Sequence, residues 1–202
     1  MSNRIFWDER YSEADLPYGA APNDFLTQVE PRLPRGRALC LAEGGGRNAV
    51  FLAERGFAVV AVDLSAAGMD RAARLATTRG VTLTTVVSDL AEFPIEPGSW
   101  DVITALWCHV PQPLRGQVHR AVASGLRPGG MFVLEAYTPR QLQRQSGGPR
   151  SAEMLLSLAE LREELAGLEL LEASEREREV HEGVYHNGLS DVVQVLARRP
   201  AP

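Results

Sequence analysis

The sequence predicts an α/β fold built on a mostly parallel, doubly wound sheet, and three observations predict it. Short apolar runs alternate with segments of helical periodicity from residue 37 to residue 137, the pattern of consecutive β-α-β units. A glycine triplet, Gly44-Gly45-Gly46, stands between the first apolar run and the first helix that follows it. Aspartates close the second run and follow the third, at Asp63 and Asp89. Right-handed crossovers put helices on both faces of such a sheet and leave ligands beyond the carboxyl ends of the strands.

Each element has its own justification. Residues 1–34 read as a helical head: residues 5 to 11 form a short helix of mixed aromatic and charged character, and Leu16-Pro17-Tyr18-Gly19 breaks it. A second helix then runs from Pro22-Asn23 through Phe25, Leu26 and Val29 to the prolines at 31 and 34. Two readings of the head stand open, a packing element or a lid that brings Tyr11 and Tyr18 to a ligand. Residues 35–138 form the ligand-binding core. Arg37-Ala38-Leu39-Cys40-Leu41 is a buried strand, and residues 49 to 55 form a helix that stops at Gly56. Strands follow at 57–62, 81–87, 100–106 and 131–137, with helices over 65–79 and 113–126 between them. In the remaining part, 139–202, residues 139–149 read as a loop or partial helix. Ser157-Leu158-Ala159-Glu160 has the capping-box pattern of a helix start, a strand is expected to begin at 168–173 and a last one to cover 191–197, with residues 181–188 connecting them.

The glycine triplet lets the backbone turn tightly and approach a ligand, since no Cβ intervenes. The helix start behind it offers unpaired N–H groups and a positive dipole end. Asp63 falls where a carboxylate accepts hydrogen bonds from ribose hydroxyls, and it can equally cap the helix that begins near Ser65. Together these features point to a nucleotide-like ligand.

Composition narrows the function. The chain of 202 residues fits one domain with a sizeable core, 1–202. A net charge of −5 without any basic run speaks against nucleic acid or an anionic membrane as partner. No apolar stretch approaches the ~20 residues needed to span a bilayer, and the polar beginning does not read as a signal peptide. Cys40 and Cys108 lie in apolar runs, as buried reduced thiols do, so a cytoplasmic protein is expected; it is further expected to be a monomer or weak homodimer. All 21 basic residues are arginine, which excludes Schiff-base, pyridoxal-phosphate and P-loop chemistry.

The glycine loop, Asp63, Val86-Val87-Ser88-Asp89-Leu90, Trp100-Asp101-Val102-Ile103 and Leu126-Arg127-Pro128-Gly129-Gly130 occur in an order that resembles class I S-adenosylmethionine-dependent methyltransferases. Gly44-Gly45-Gly46-Arg47-Asn48 resembles the corresponding loop of the tellurite-resistance-type methyltransferases and their bacterial relatives. The resemblance implies a seven-stranded sheet whose last strand is antiparallel. It also implies S-adenosylmethionine as cofactor, S-adenosylhomocysteine as product and a small-molecule acceptor. It assigns the ribose to Asp63, beside Leu64, and the adenine amino group to Asp89, beside Leu90. Gly44 and Gly46 are to pass close to the cofactor, Arg47 and Asn48 to complete the loop, and Trp107 to border the sulfonium. The superfamily commonly has an acidic residue and a glycine where this chain has Cys40 and Ala42, so Glu43 is the residue left to hold the methionine ammonium.

Methyl transfer asks for proximity, exclusion of water and at times a base. The candidates for that base are His109 and His186, the latter in the connection between the last two strands. A metal site made of Cys108, His109, His181 and His186 matches no standard zinc spacing, so no metal is expected. His119 reads as exposed, and Glu175-Arg176-Glu177-Arg178-Glu179 as a solvated edge of alternating charge. Two other functions fit parts of the pattern. Gly44-x-Gly46-x-x-Ala49 followed by Asp63 also meets the dinucleotide fingerprint of an NAD(P)-dependent oxidoreductase, and a non-catalytic S-adenosylmethionine-binding regulator would share every cofactor residue.

Overall fold

The computed structural model describes residues 3–13 and 17–201; Leu16, part of the expected break in the head, lies outside the described residues. Thirteen helices and strands follow in chain order among them: α1 (Asn3–Glu13), α2 (Asp24–Val29), β1 (Arg37–Leu41), α3 (Arg47–Glu54), β2 (Ala58–Asp63), α4 (Ala66–Arg79), β3 (Thr84–Val87), β4 (Trp100–Leu106), α5 (Leu114–Gly125), β5 (Leu126–Tyr137), α6 (Leu158–Glu164), β6 (Glu169–His181) and β7 (Asn187–Arg198). The strands form one sheet in the order β3-β2-β1-β4-β5-β7-β6. Strands β1 to β5 pair in parallel, and β7 runs antiparallel to both β5 and β6. The order reverses between β1 and β4, which opens a crevice at the carboxyl ends.

Alternation along the strands divides the core in two. Leu39 and Leu41 of β1 join Phe132 and Leu134 of β5 on one face, covered by Val118 and Val122 of α5 and Leu161 and Leu165 next to or in α6. Ala38 and Cys40 of β1 point the other way with Val133 of β5, against Phe25 and Leu26 of α2, Leu52 of α3 and Met69 of α4. A one-residue slip would exchange these faces, so burial on both sides fixes the register. Both cysteines are buried and free, as expected.

Two side-chain expectations are corrected, and the last strand starts earlier than expected. β6 continues from Glu169 through the charged run to His181, and β7 begins at Asn187, so these strands form one long hairpin whose tip reaches the carboxyl ends of β1–β5. Arg178 is therefore no solvated edge residue: its side chain, 14% exposed, inserts between Glu135 and Glu182. His119 is buried against α6, with Nδ1 2.6 Å from Oε2 of Glu164. Both misreadings came from helix or strand periodicity taken without the partner that covers that face.

Candidate functional site

A cavity of about 1010 Å³ opens at the carboxyl ends of the strands. Of the residues expected to bind a cofactor or act in catalysis, Tyr11, Tyr18, Glu43, Arg47, Asn48, Asp63, Leu64, Asp89, Leu90, Trp107, His109 and His186 all line it. Gly44 and Gly46 do not; Gly45 does. The reason is steric. A Cβ on Gly44 would overlap the Tyr11 hydroxyl, and one on Gly46 would run into Ala72 of α4. Both glycines have positive φ, 61° and 89°, so they make the turn and its close packing, and Gly45 presents the loop to the cavity.

One half of the cavity is built on carboxylates held by backbone N–H groups. Asp63, the last residue of β2, accepts from Gly44 N–H through Oδ2 at 2.9 Å and from Ser65 N–H through Oδ1 at 2.8 Å. Burial raises its pKa against these hydrogen bonds. Glu43 Oε1 accepts from the N–H groups of Asn48 and Ala49, both at 2.9 Å, and so caps the start of α3. Burial dominates there too and lifts the Glu43 carboxyl to about 7. Asp89 holds the turn after β3 by accepting from Ala91 N–H at 2.9 Å. The residue before Glu43, Ala42, occupies the left-handed region at φ 50°, a conformation that favours glycine.

The head closes this half. Asp8 of α1 accepts from Ser65 Oγ at 2.7 Å and from Ala67 N–H at 3.2 Å, at the start of α4. That seats Tyr11 over Gly44 and leaves Tyr18 4.7 Å, ring to ring, from His186.

The other half is aromatic. Trp107 follows β4 with φ 58°, a strained value for a bulky side chain. Its ring lies 4.4 Å from Tyr137 and 4.8 Å from His186, and His109 stacks on Tyr137 at 5.6 Å with planes 12° apart. The Trp107 carbonyl accepts from His109 N–H at 3.1 Å. His109 Nδ1 lies 2.8 Å from the Met154 carbonyl. Burial lowers His109 to about 4 and His186 to about 3, so both rings are neutral near pH 7. His181 is exposed, bonded to Asn187, and stands outside this cluster.

Beneath the aromatic half lies a buried polar network that sequence reading missed. Glu182, in the hairpin tip, accepts from Trp107 Nε1 at 2.6 Å, Arg178 Nη2 at 2.8 Å, Asn23 Nδ2 at 3.1 Å and Arg47 Nη2. Glu135 of β5, fully buried, accepts from Arg178 Nε at 2.8 Å, Gln194 Nε2 at 2.8 Å and Asn23 Nδ2. Burial pushes the Glu182 pKa up, but the Arg47 charge and these hydrogen bonds outweigh it and hold the carboxyl below its ordinary range. Arg47 and Asn48 thus reach outward from the glycine loop. Arg47 donates to the Ala21 carbonyl at 2.9 Å, and Asn48 Oδ1 accepts from Asn23 N–H at 2.8 Å. An acidic residue inside an otherwise apolar strand, Glu135 between Leu134 and Ala136, was the one signal available.

Residues 38–130 match the model of the methyltransferase domain family. The matched stretch, a little under half of the chain, runs from β1 into β5 and includes the glycine loop and both carboxylates, Asp63 and Asp89. It is 39% identical over 103 residues to a ubiquinone biosynthesis O-methyltransferase of Marinobacter nauticus, a match that covers 48% of this chain and 42% of that protein. It superposes with a TM-score of 0.79 on a structure described for the conversion of a disulfide bond into a thioacetal group during echinomycin biosynthesis, at 19% identity, covering 98% of this chain and 91% of that one. TehB from Haemophilus influenzae superposes with a TM-score of 0.72 at 17% identity, covering 97% of this chain and 66% of that one.

Proposed function

We propose that this protein transfers a methyl group from S-adenosylmethionine to a small-molecule acceptor. The observation that carries the reading is that two strand-end carboxylates, Asp63 and Asp89, share one cavity with the aromatic cluster around Trp107. Asp63 fits a ribose: its oxygens are held in place by two backbone N–H groups and retain lone pairs for hydroxyl donors. Asp89 accepts from the adenine amino group, next to Leu90. Glu43 meets the ammonium of the methionine part, which favours its ionised form. When bound, S-adenosylmethionine supplies an electrophilic methyl group on a positively charged sulfur. Trp107, backed by Tyr137, gives the neighbouring wall an aromatic surface suited to that charge. Tyr11 and Tyr18 on the docked head exclude water. His109 and His186 are the candidate groups for orienting the acceptor or receiving its proton.

The curated relative is named for O-methylation in ubiquinone biosynthesis, which supports a small organic acceptor. Among the described residues no helix is long and apolar enough to cross a membrane. We also propose a cytoplasmic enzyme, a monomer or weak homodimer, that acts without nucleic acid, the last supported by the net charge of −5. The nicotinamide reading and the regulator reading are not favoured by the family match. Calorimetric titration with S-adenosylhomocysteine and, separately, with NAD tests the proposal. Binding of the first alone is expected; binding of NAD alone would replace this reading with the oxidoreductase one.

A further inference from the structure

The acceptor end of the cavity has a definite hydrogen-bonding polarity. A carbonyl oxygen only accepts, so the contact with Met154 O places the hydrogen of His109 on Nδ1 and leaves Nε2 with its lone pair. That nitrogen is buried and has no hydrogen-bond partner among the described residues. Two neighbours in the same ring cluster share this condition, His186 Nδ1 and the Tyr137 hydroxyl. Buried polar atoms are nearly always paired, and an unmatched group costs stability. Three in one cluster, two of them on residues that line the cavity, mark a place where a ligand completes the bonding.

The arginines that lie among carboxylates at this end are already paired. Arg47 is paired with Glu182, and Arg178 with Glu135, Glu182 and Asp24. Arg115, behind Met154, is paired with Glu160 and Glu164. The Arg10 guanidinium lies over the Tyr185 ring, 3.6 Å from its centroid. Arg71 and Arg74 line the cavity from α4, the helix packed on β3 at the opposite end of the parallel strands from β5. The two imidazoles add no positive charge near neutral pH. An anionic acceptor would have to draw Arg47 or Arg178 from its carboxylates or rely on the Arg10 guanidinium over the Tyr185 ring alone, whereas a neutral one leaves every ion pair in place.

We propose that this subsite takes an uncharged acceptor bearing an O–H or S–H group, held among the rings of Trp107, Tyr137 and His186 with its hydrogen donated to Nε2 of His109, and that it does not take an oxyanion. The inference rests on the methyltransferase reading and extends it to the substrate class. It departs from what the resemblance to tellurite-resistance-type enzymes suggests.

The test uses the full chain saturated with S-adenosylhomocysteine and labelled with 15N at histidine. Phenol, an uncharged alkyl thiol, anisole, selenite and tellurite are titrated separately, with affinity read by calorimetry and the His109 ring nitrogens by NMR. Phenol or the thiol is expected to bind at least about tenfold more tightly than anisole, which lacks the donor, and than either oxyanion. The tighter compound is also expected to shift the Nε2 resonance with Nδ1 still protonated. In His109→Phe the preference for phenol over anisole should vanish, with S-adenosylhomocysteine affinity reporting that the variant is folded. Any other ranking in the wild-type protein overturns the proposal, including equal binding of phenol and anisole or no binding by either donor. Failure of S-adenosylhomocysteine itself to bind would instead overturn the methyltransferase reading.

Discussion

The two halves of the cavity are built by different means. Around the glycine loop, the carboxylates of Glu43, Asp63 and Asp89 are held by backbone N–H groups no more than 19 residues away in sequence. Around Trp107, the side chains are held by partners as distant as 159 residues, through Glu182, Glu135, Asn23 and Arg178. Local backbone bonds make a rigid cradle that any sequence with the same loop can reproduce. The distant network depends on the whole sheet closing, so it joins the head, the loop and the hairpin into a single unit. The first arrangement suits a cofactor shared by many enzymes, and the second suits an acceptor peculiar to one.

That contrast can be broken most severely at Glu182. Glu182→Ala leaves the cations of Arg47 and Arg178, 8% and 14% exposed, without a shared carboxylate. A stability loss of about 3–5 kcal/mol is expected from denaturant unfolding, with a smaller loss for Glu182→Gln. Wild-type stability in both variants would mean that the network does not tie the hairpin to the loop. On the cofactor side, Asp63→Ala should weaken S-adenosylhomocysteine binding by about 1.5–3 kcal/mol in calorimetry. Unchanged affinity would remove the ribose assignment.

The acceptor side should separate from the cofactor side in kinetics. His186→Ala is expected to slow methyl transfer at least about tenfold, or ~1.4 kcal/mol in the transition state, with S-adenosylmethionine affinity nearly intact. Turnover at the wild-type rate would make His186 a packing residue only.

pH acts on the two halves with opposite signs. Glu43 has its folded pKa raised from 4.5 to about 7. Its contribution is therefore fully present below the unfolded value and lost as pH rises through about 7. His109 and His186 are lowered from 6.5 to about 4 and about 3. Their contribution is present above about 6.5 and lost as pH falls through those values. Thermal unfolding followed from pH 5 to pH 8 should show Glu43→Gln gaining on the wild type as pH rises, since glutamine keeps an oxygen for the α3 N–H groups and has no charge to bury. A constant difference across that range would contradict the assignment of the buried carboxyl to Glu43.

The same division decides what could be read from sequence. The alternation of strands and helices, the turn at Gly44 to Gly46 and the strand-end positions of Asp63 and Asp89 are local patterns, and the structure follows them. Arg178 was read as part of a solvated edge and Glu182 escaped notice, because each looks like surface charge until its partner strand or head is in place; Glu135 stood out only as an acid within an apolar strand. Arg47 and Asn48 were noticed for their position in the loop, yet their bonds run to Ala21, Asn23 and Glu182. His119 looked exposed because helical spacing alone does not show that α6 covers it.

A crystal structure of the complex with S-adenosylhomocysteine tests the central claim, one cavity with a cofactor half and an acceptor half, most directly. The predicted result has the ribose hydroxyls on Asp63, the adenine amino group on Asp89, and the sulfur turned toward the rings of Trp107 and His186. Adenosine seated against Trp107 and His109, or a sulfur directed away from the aromatic cluster, would contradict it.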